Sequence, residues 1–226
     1  MNQTKLPSLS RKTRQYVWFC VLFIVAFVYA FAKLGSEMLE QELSLFDSAV
    51  IGWVQSGISP ALTSFMLFIT FLGSTSALLM VITVAAGLMW WQKKRWEALF
   101  LVIALGGGVL FNLVLKWSYH RERPSILRLV EEEGFSFPSG HSMASFILYG
   151  MIGILLYLFV VSRAAKVAIV VIVVALILLI GTSRIYLGVH YPSDVLAGYT
   201  AGGAWLAICL LGLRLVVEKR KGKMEK

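Results

Sequence analysis

The sequence predicts an all-α, polytopic membrane protein with six transmembrane helices and short interfacial helices after the first span. Three observations predict it. The 226 residues are 58% hydrophobic and only 15% charged, outside the mixture of an ordinary soluble domain. The apolar residues gather into runs of about 16 to 23, and at roughly 1.5 Å rise per residue such helices reach most or all of a ~30 Å hydrocarbon core. Charge falls between the runs, so the net +9 concerns orientation in a membrane before it concerns partners, and nucleic acid is a poor partner for it. The whole chain, 1–226, reads as one domain with basic tails at 1–15 and 218–226.

The first tail carries Lys5, Arg11, Lys12 and Arg14 and precedes the apolar run Tyr16 to Ala32. A basic flank before an apolar core also describes a signal peptide. This run is longer than a typical signal core, and Lys33-Leu34-Gly35-Ser36-Glu37 is not a small-residue cleavage site, so a retained first span is expected. From Ser36 to Ser59 the acids Glu37, Glu40, Glu42 and Asp47 interleave with Leu39, Leu43, Phe46, Val50, Ile51 and Trp53, the spacing of an amphipathic helix on the membrane surface. Pro60 to Leu72 is apolar but short, which suits a second interfacial or re-entrant helix ended by Gly73-Ser74. Five further spans follow at Ser76–Trp91, Ala98–Leu115, Ser142–Val161, Val167–Thr182 and Val195–Val217, each stopped by a polar or basic residue. Cys20 and Cys209 lie inside apolar runs, where a thiol is a small hydrophobe, and imply neither a disulfide framework nor a metal site.

With six spans both termini share a side, which also collects Arg11, Lys12, Arg14, Lys93, Lys94, Arg95, Arg163, Lys166, Lys219, Arg220, Lys221, Lys223 and Lys226. The positive-inside rule makes that side cytoplasmic. The extracytoplasmic side then keeps the acidic stretch Glu37–Asp47 and the loops Lys116–Phe137 and Ser183–Ser193.

On that second side stands a polar cluster in an otherwise lipid-like chain. Pro138 suits the first turn of a helix, and the apolar run from Met143 supplies one. Ser139, Gly140 and His141 then sit at an open helix N-terminus, where unpaired N–H groups and the dipole favour an anion that glycine lets approach. Taken alone, Pro-Ser-Gly-His is more often an ordinary turn into a helix. Lys116, Arg123, Ser183, Arg184, His190 and Asp194 fall on the same membrane face, as do all three histidines, His120, His141 and His190. Any one of Lys116, Arg123 or Arg184 taken singly reads first as a snorkelling anchor; three cations, two histidines and a carboxylate on one rim do not.

The spacings are Lys116, six residues, Arg123-Pro124; then Pro138-Ser139-Gly140-His141; then Ser183-Arg184, five residues, His190, three residues, Asp194. They resemble the three-part signature of the type 2 phosphatidic acid phosphatase superfamily, which includes bacterial acid phosphatases, membrane lipid phosphatases and vanadium haloperoxidases. The likeness runs from about residue 101 to 202 and is strongest to the bacterial membrane branch, that of phosphatidylglycerophosphatases and undecaprenyl diphosphatases. It implies a hydrolase in a bacterial plasma membrane, acting on a membrane lipid phosphate.

The chemistry also follows from the residues. A phosphomonoester or diphosphate repels a nucleophile, so its oxygens need neutralising without blocking in-line attack. Lys116 is a point charge, Arg123 and Arg184 donate in bidentate fashion, and Ser139 with the N–H groups near Gly140 completes the phosphate cradle. A neutral imidazole of His190 can attack phosphorus, and Asp194 can hold its other nitrogen. If the segment is already helical, one face carries both; Pro192 instead marks a helix start, which leaves that pitch open. His141 is then the general acid for the leaving group and the base that activates water afterwards. The family resemblance implies the same roles.

No metal or other cofactor is expected: the surrounding cations oppose a dication, and neither a His-x-x-x-His nor a cysteine pair is present. Glu131-Glu132-Glu133 reads as a solvated loop. His120, Arg121 and Glu122 occupy positions the pattern leaves free and read as exposed loop polarity or as tuners of head-group choice. Trp117, Tyr119, Tyr186 and Tyr191 suit the head-group interface. Gly106-Gly107-Gly108, Gly198 and Gly202 suit close helix packing within the bundle.

The expected reaction is removal of a terminal phosphate from undecaprenyl diphosphate or phosphatidylglycerophosphate, with phosphatidic acid and diacylglycerol diphosphate behind them. Two other classes fit the same residues: a vanadate-dependent haloperoxidase, and a transporter or flippase that binds phosphorylated lipids without hydrolysis. Monomer and homodimer are equally compatible with the sequence.

Overall fold

The computed structural model describes residues 10–125 and 127–224. Lys5 and Lys226 lie outside the described residues, as do the side chains of Lys221 and Lys223. The described residues form eight helices and no strand: α1 Arg11–Leu39, α2 Ser44–Gln55, α3 Pro60–Leu72, α4 Thr75–Trp91, α5 Arg95–Tyr119, α6 Gly140–Phe159, α7 Arg163–Tyr186 and α8 Pro192–Met224. Serine starts five of them. Ser10, Ser59, Ser74, Ser139 and Ser162 each accept a hydrogen bond from a backbone N–H three residues on, which satisfies one of the orphan donors of the first turn.

α1, α5, α6, α7 and α8 are long and apolar enough to cross a membrane, and α4 is a shorter apolar helix. The chain is therefore an all-helical, multi-pass membrane protein. Large apolar side chains face outward, Trp18 at 72% and Leu22 at 64% exposure among them, as lipid rather than water requires. The interior is centred on α6, which packs against α4, α5, α7 and α8, while α1 lies along α8. Leu101, Leu105, Leu148, Met151, Leu155 and Leu206 fill the space between α5, α6 and α8. Close approach of α8 to α6 depends on two glycines. A Cβ at Gly198 would stand 2.8 Å from the Ser139 carbonyl oxygen, and one at Gly202 3.0 Å from that of Met143, which places their four-residue spacing inside one bundle. Gly107 and Gly108 face Trp205 and Ile147 in the same way, whereas Gly106 faces open space.

Several boundaries differ from the sequence reading. α1 continues through Lys33–Glu37 to Leu39, because Lys33 and Glu37 lie one turn apart and pair at 3.6 Å without interrupting the backbone. The surface helix is correspondingly shorter, beginning at Ser44 after a turn in which Gln41 has φ 61°. α2 and α3 are bent by 119° to each other across their break. Pro138 precedes the cap of α6 instead of lying in its first turn, since Ser139 is the N-cap and Gly140 the first helical residue. α5 and α7 run to Tyr119 and Tyr186, past the expected Leu115 and Thr182, so Lys116 and Arg184 are carried on helical turns.

Candidate active site

Pro192 opens α8, so Tyr191 caps that helix and Asp194 occupies its third position. From there the Asp194 carboxylate reaches back: Oδ2 accepts the Tyr191 N–H at 2.8 Å, half of a capping box. The same oxygen accepts the Ser136 hydroxyl and lies 3.4 Å from His190 Nδ1. His190 stands before the helix, not on its face. Its ring is brought to Asp194 by the cap, which settles the choice that Pro192 left open. With Nδ1 turned to Asp194, the other nitrogen, Nε2, lies 3.3 Å from Arg123 Nη1.

Arg123 is almost fully buried and is held by its own loop and by the segment before α8. Its Nε donates to the Gly134 carbonyl at 3.0 Å, Nη2 to that of Glu133 at 3.0 Å, and Nη1 to that of Val189 at 3.0 Å. Lys116 Nζ donates to the Phe135 carbonyl at 2.5 Å. The 120–139 loop is thus wound around two of the expected cations, with Asn112 of α5 donating to the Pro138 carbonyl at 3.3 Å beneath it. Arg184, 4% exposed, donates from Nη1 to Thr70 Oγ1 at 2.8 Å; its buried Nε has no partner among the described residues.

The middle acid of the glutamate run turns inward rather than into solvent. Glu132 pairs with Arg123 Nη1 at 3.2 Å, contacts Arg184 Nη2, and lies 3.9 Å from His141 Nδ1. A carboxylate therefore stands where the cations converge, the place that anionic oxygens would take. Ser139 and Gly140 are at the α6 N-terminus as expected, but the Ser139 hydroxyl is spent on the helix: it accepts from the Ser142 N–H at 3.4 Å and the Ser142 hydroxyl at 3.0 Å. A Cβ on Gly140 would stand 3.1 Å from Asn112 Oδ1, so this glycine also lets α5 and α6 meet. The backbone ties the motifs together through the Ser139 N–H, which donates to the Asp194 carbonyl at 3.0 Å.

Burial and charge set the protonation states. Burial dominates at His190 and outweighs Asp194, pushing its pKa down to about 3; the ring is neutral, as a nitrogen nucleophile requires. Burial also lowers Arg123. At Arg121 burial acts in the same direction but is exceeded by Asp194 and Asp47, which leave its pKa raised.

Arg121 corrects the reading of exposed loop polarity: its guanidinium bridges Asp194 Oδ1 at 2.7 Å and Asp47 Oδ2 at 2.8 Å. The interfacial aromatics divide. Trp117 is 69% exposed, whereas Tyr186 is fully buried and shares a 2.8 Å hydrogen bond with Thr63, Tyr119 packs against Phe137, and Tyr191 stacks under Arg121. Ser136 and Thr70 were not singled out, Glu132 was read only as part of a solvated loop, and Asp47 only as part of an amphipathic surface helix. Asp47 left a trace in the sequence as a lone acid between Leu43, Phe46, Val50 and Ile51.

Two cavities meet at this place. One of about 360 Å³ is lined by Lys116, Glu132, Phe135, His141 and His190. A larger groove of about 600 Å³ runs between α4, α5 and α6 along Leu78, Ile82, Leu105 and Val109, and ends at Glu132 and His141.

A family model described as the PAP2 superfamily matches residues 97–216, a span somewhat wider than the motif-bearing stretch. Phosphatidylglycerophosphatase B of Bacillus subtilis (strain 168) is 39% identical over 145 residues, 63% of this chain and 71% of that protein. The bacitracin transport permease protein BcrC of Bacillus licheniformis is 36% identical over 104 residues, 46% of each chain. Among solved structures, the transmembrane PAP2 type phosphatidylglycerolphosphate phosphatase from Bacillus subtilis superposes with a TM-score of 0.78 at 32% identity, over 87% of this chain and 96% of that one. Aquifex aeolicus LpxE superposes with a TM-score of 0.58 at 26% identity, over 72% and 93%.

Proposed function

The chain belongs to the PAP2 superfamily and is a multi-pass membrane lipid phosphatase, and from that premise we propose that it removes a terminal phosphate from phosphatidylglycerophosphate or undecaprenyl diphosphate through a phosphohistidine. The observation that carries this reading is the posture of His190: Nδ1 on Asp194, Nε2 beside Arg123, in a neutral buried ring.

In the proposed reaction the substrate phosphate displaces the Glu132 carboxylate and takes its place among Lys116, Arg123, Arg184 and the N–H groups at the start of α6. His190 Nε2 attacks phosphorus in line. The bond to the leaving oxygen breaks as His141 gives that oxygen a proton, and Asp194 steadies the imidazolium character that develops on His190. His141, now a base, takes a proton from water, whose oxygen attacks the phosphohistidine and frees inorganic phosphate. Each step is supplied by side chains.

The apolar groove ending at His141 suits lipid tails, so that a phosphate enters sideways from the bilayer. Two of the relatives are phosphatidylglycerophosphate phosphatases by name, which favours that substrate first. Charge asymmetry supports a site on the extracytoplasmic face of a bacterial plasma membrane with both termini cytoplasmic; reporter fusions at the C-terminus and within Glu131–Glu133 test that placement. One relative is named as a transport permease, which keeps non-hydrolytic lipid handling as a second reading.

The deciding experiment measures inorganic phosphate release by the purified chain in detergent with excess chelator. Phosphatidylglycerophosphate, undecaprenyl diphosphate and phosphatidic acid are compared by kcat/KM, with His190→Ala alongside. Release by the unaltered protein, reduced on the order of 10⁴-fold or more in the variant, is expected. Equal release by both, or loss of release on chelation, overturns the mechanism; lipid scrambling that survives His190→Ala would favour transport.

A further inference from the structure

We propose that Asp47 and Arg121 are positioning residues for the His190–Asp194 pair, so that the surface helix α2 is part of the apparatus that aims the nucleophile. The inference rests on the roles given above to His190 and Asp194. Asp47 lies outside all three motifs and is 1% exposed. Its Oδ1 accepts the Ser193 N–H at 2.9 Å, and its Oδ2 accepts the Ser193 hydroxyl at 2.7 Å and Arg121 Nη2 at 2.8 Å. Arg121 then continues the chain of contacts: Nη1 donates to Ser193 Oγ at 2.7 Å and to Asp194 Oδ1 at 2.7 Å, while its guanidinium carbon lies 3.9 Å from the centre of the Tyr191 ring.

The two oxygens of Asp194 have separate tasks. Oδ2 faces His190, Ser136 and the Tyr191 N–H; Oδ1 is anchored through Arg121 to α2. A carboxylate anchored on one oxygen cannot rotate away from the imidazole on the other, and this holds the tautomer that leaves Nε2 unprotonated. Charge makes the anchor two-sided. Arg121 stands between two buried carboxylates, and Asp47 balances its pull, so neutralising Asp47 lets the guanidinium draw Asp194 off His190. Among the described residues the side chains of Asp47, Ser193 and Arg121 make no hydrogen bond or ion pair with Lys116, Arg184 or His141. Catalytic rate should therefore fall while affinity for a phosphate-like anion stays.

A purely structural role, latching α2 to the bundle, would lower stability and leave the turnover of folded protein alone. The test uses the full chain in detergent with Asp47→Asn, Arg121→Lys, Asp194→Asn and the double variant Asp47→Asn/Asp194→Asn. Measured for each are kcat and KM on phosphatidylglycerophosphate, the inhibition constant of orthovanadate, and Tm. Asp47→Asn and Arg121→Lys are expected to lower kcat by about 10- to 100-fold, the usual scale for a group that orients a reacting one. KM and the vanadate constant should stay within about twofold, and Asp47→Asn should add nothing to the residual rate of Asp194→Asn.

An unchanged kcat in Asp47→Asn, or a loss that multiplies fully on the Asp194→Asn background, overturns the inference. Should Asp47→Asn fail to fold, Arg121→Lys with wild-type kcat and Tm does the same. Inactive Asp194→Asn with active Asp47→Asn removes the positioning role alone. Fully active Asp194→Asn removes the histidine assignment, and the inference with it.

Discussion

At the end of the bundle where α1 begins, Lys94 lies 3.0 Å over the Phe159 ring, Lys166 4.8 Å over Tyr157 and Arg220 4.2 Å over Trp96. These cations keep their charge near the surface and rest their stems and heads on aromatic faces. At the opposite end of the same helices Arg123 and Arg184 are 8% and 4% exposed and are fixed by loop carbonyls, Thr70 and Glu132. The residue types are alike; the solvation is not. An exposed cation over a ring tolerates many geometries, whereas a buried guanidinium is held by directed donors, and that direction makes a cradle for an anion. The three histidines sharpen the contrast, because all of them belong to the second end.

Exchanging cations at the two ends tests this most strongly. Arg184→Lys keeps the charge but loses the fork, and kcat/KM on phosphatidylglycerophosphate should drop about 10²- to 10³-fold, the scale of one lost transition-state donor. Lys166→Ala at the other end should change it less than about twofold. Equal effects at both ends would break the comparison.

A smaller effect is expected at Glu132, the internal anion of the cradle. Glu132→Gln leaves Arg123 and Arg184 without a competing carboxylate, so inorganic phosphate should inhibit about tenfold more strongly, as for one charge-assisted contact. Unchanged or weaker product inhibition would mean that the carboxylate does not compete with phosphate.

The smallest effect is in the pH dependence of stability. The pKa of His190 is depressed in the folded protein to about 3, below its ordinary value near 6.5. The unfolded chain takes up that proton first, so the stability from neutral His190 is complete above about pH 6.5 and is lost as pH falls from there toward 3. Thermal unfolding in detergent should show Tm declining over that window, and a shallower decline in His190→Asn. Identical slopes would assign the acid sensitivity elsewhere.

Much of this was legible in residues read singly or at short range. Apolar runs and stop residues mark the helices because each acts within a turn or two of itself. The three motifs locate Lys116, Arg123, His141, Arg184, His190 and Asp194, and the structure gathers these at one end of the bundle. Glu132 was misread because one carboxylate in a run of three looks like its neighbours until a loop turns it. Arg121 was misread because its partner Asp47 is 74 positions away.

By itself the sequence determined the class, the number and rough extent of the helices, and the candidates for handling phosphate, since these depend on hydrophobic periodicity and motif spacing. Only the tertiary structure decided that His190 presents Nε2 while Asp194 holds Nδ1, that Ser139 caps a helix, that Glu132 fills the cradle, and that α2 carries Asp47 into the site. The reason is physical: a buried polar group is satisfied by whatever partner the fold brings within about 3 Å, and a one-dimensional pattern does not encode which distant partner that is.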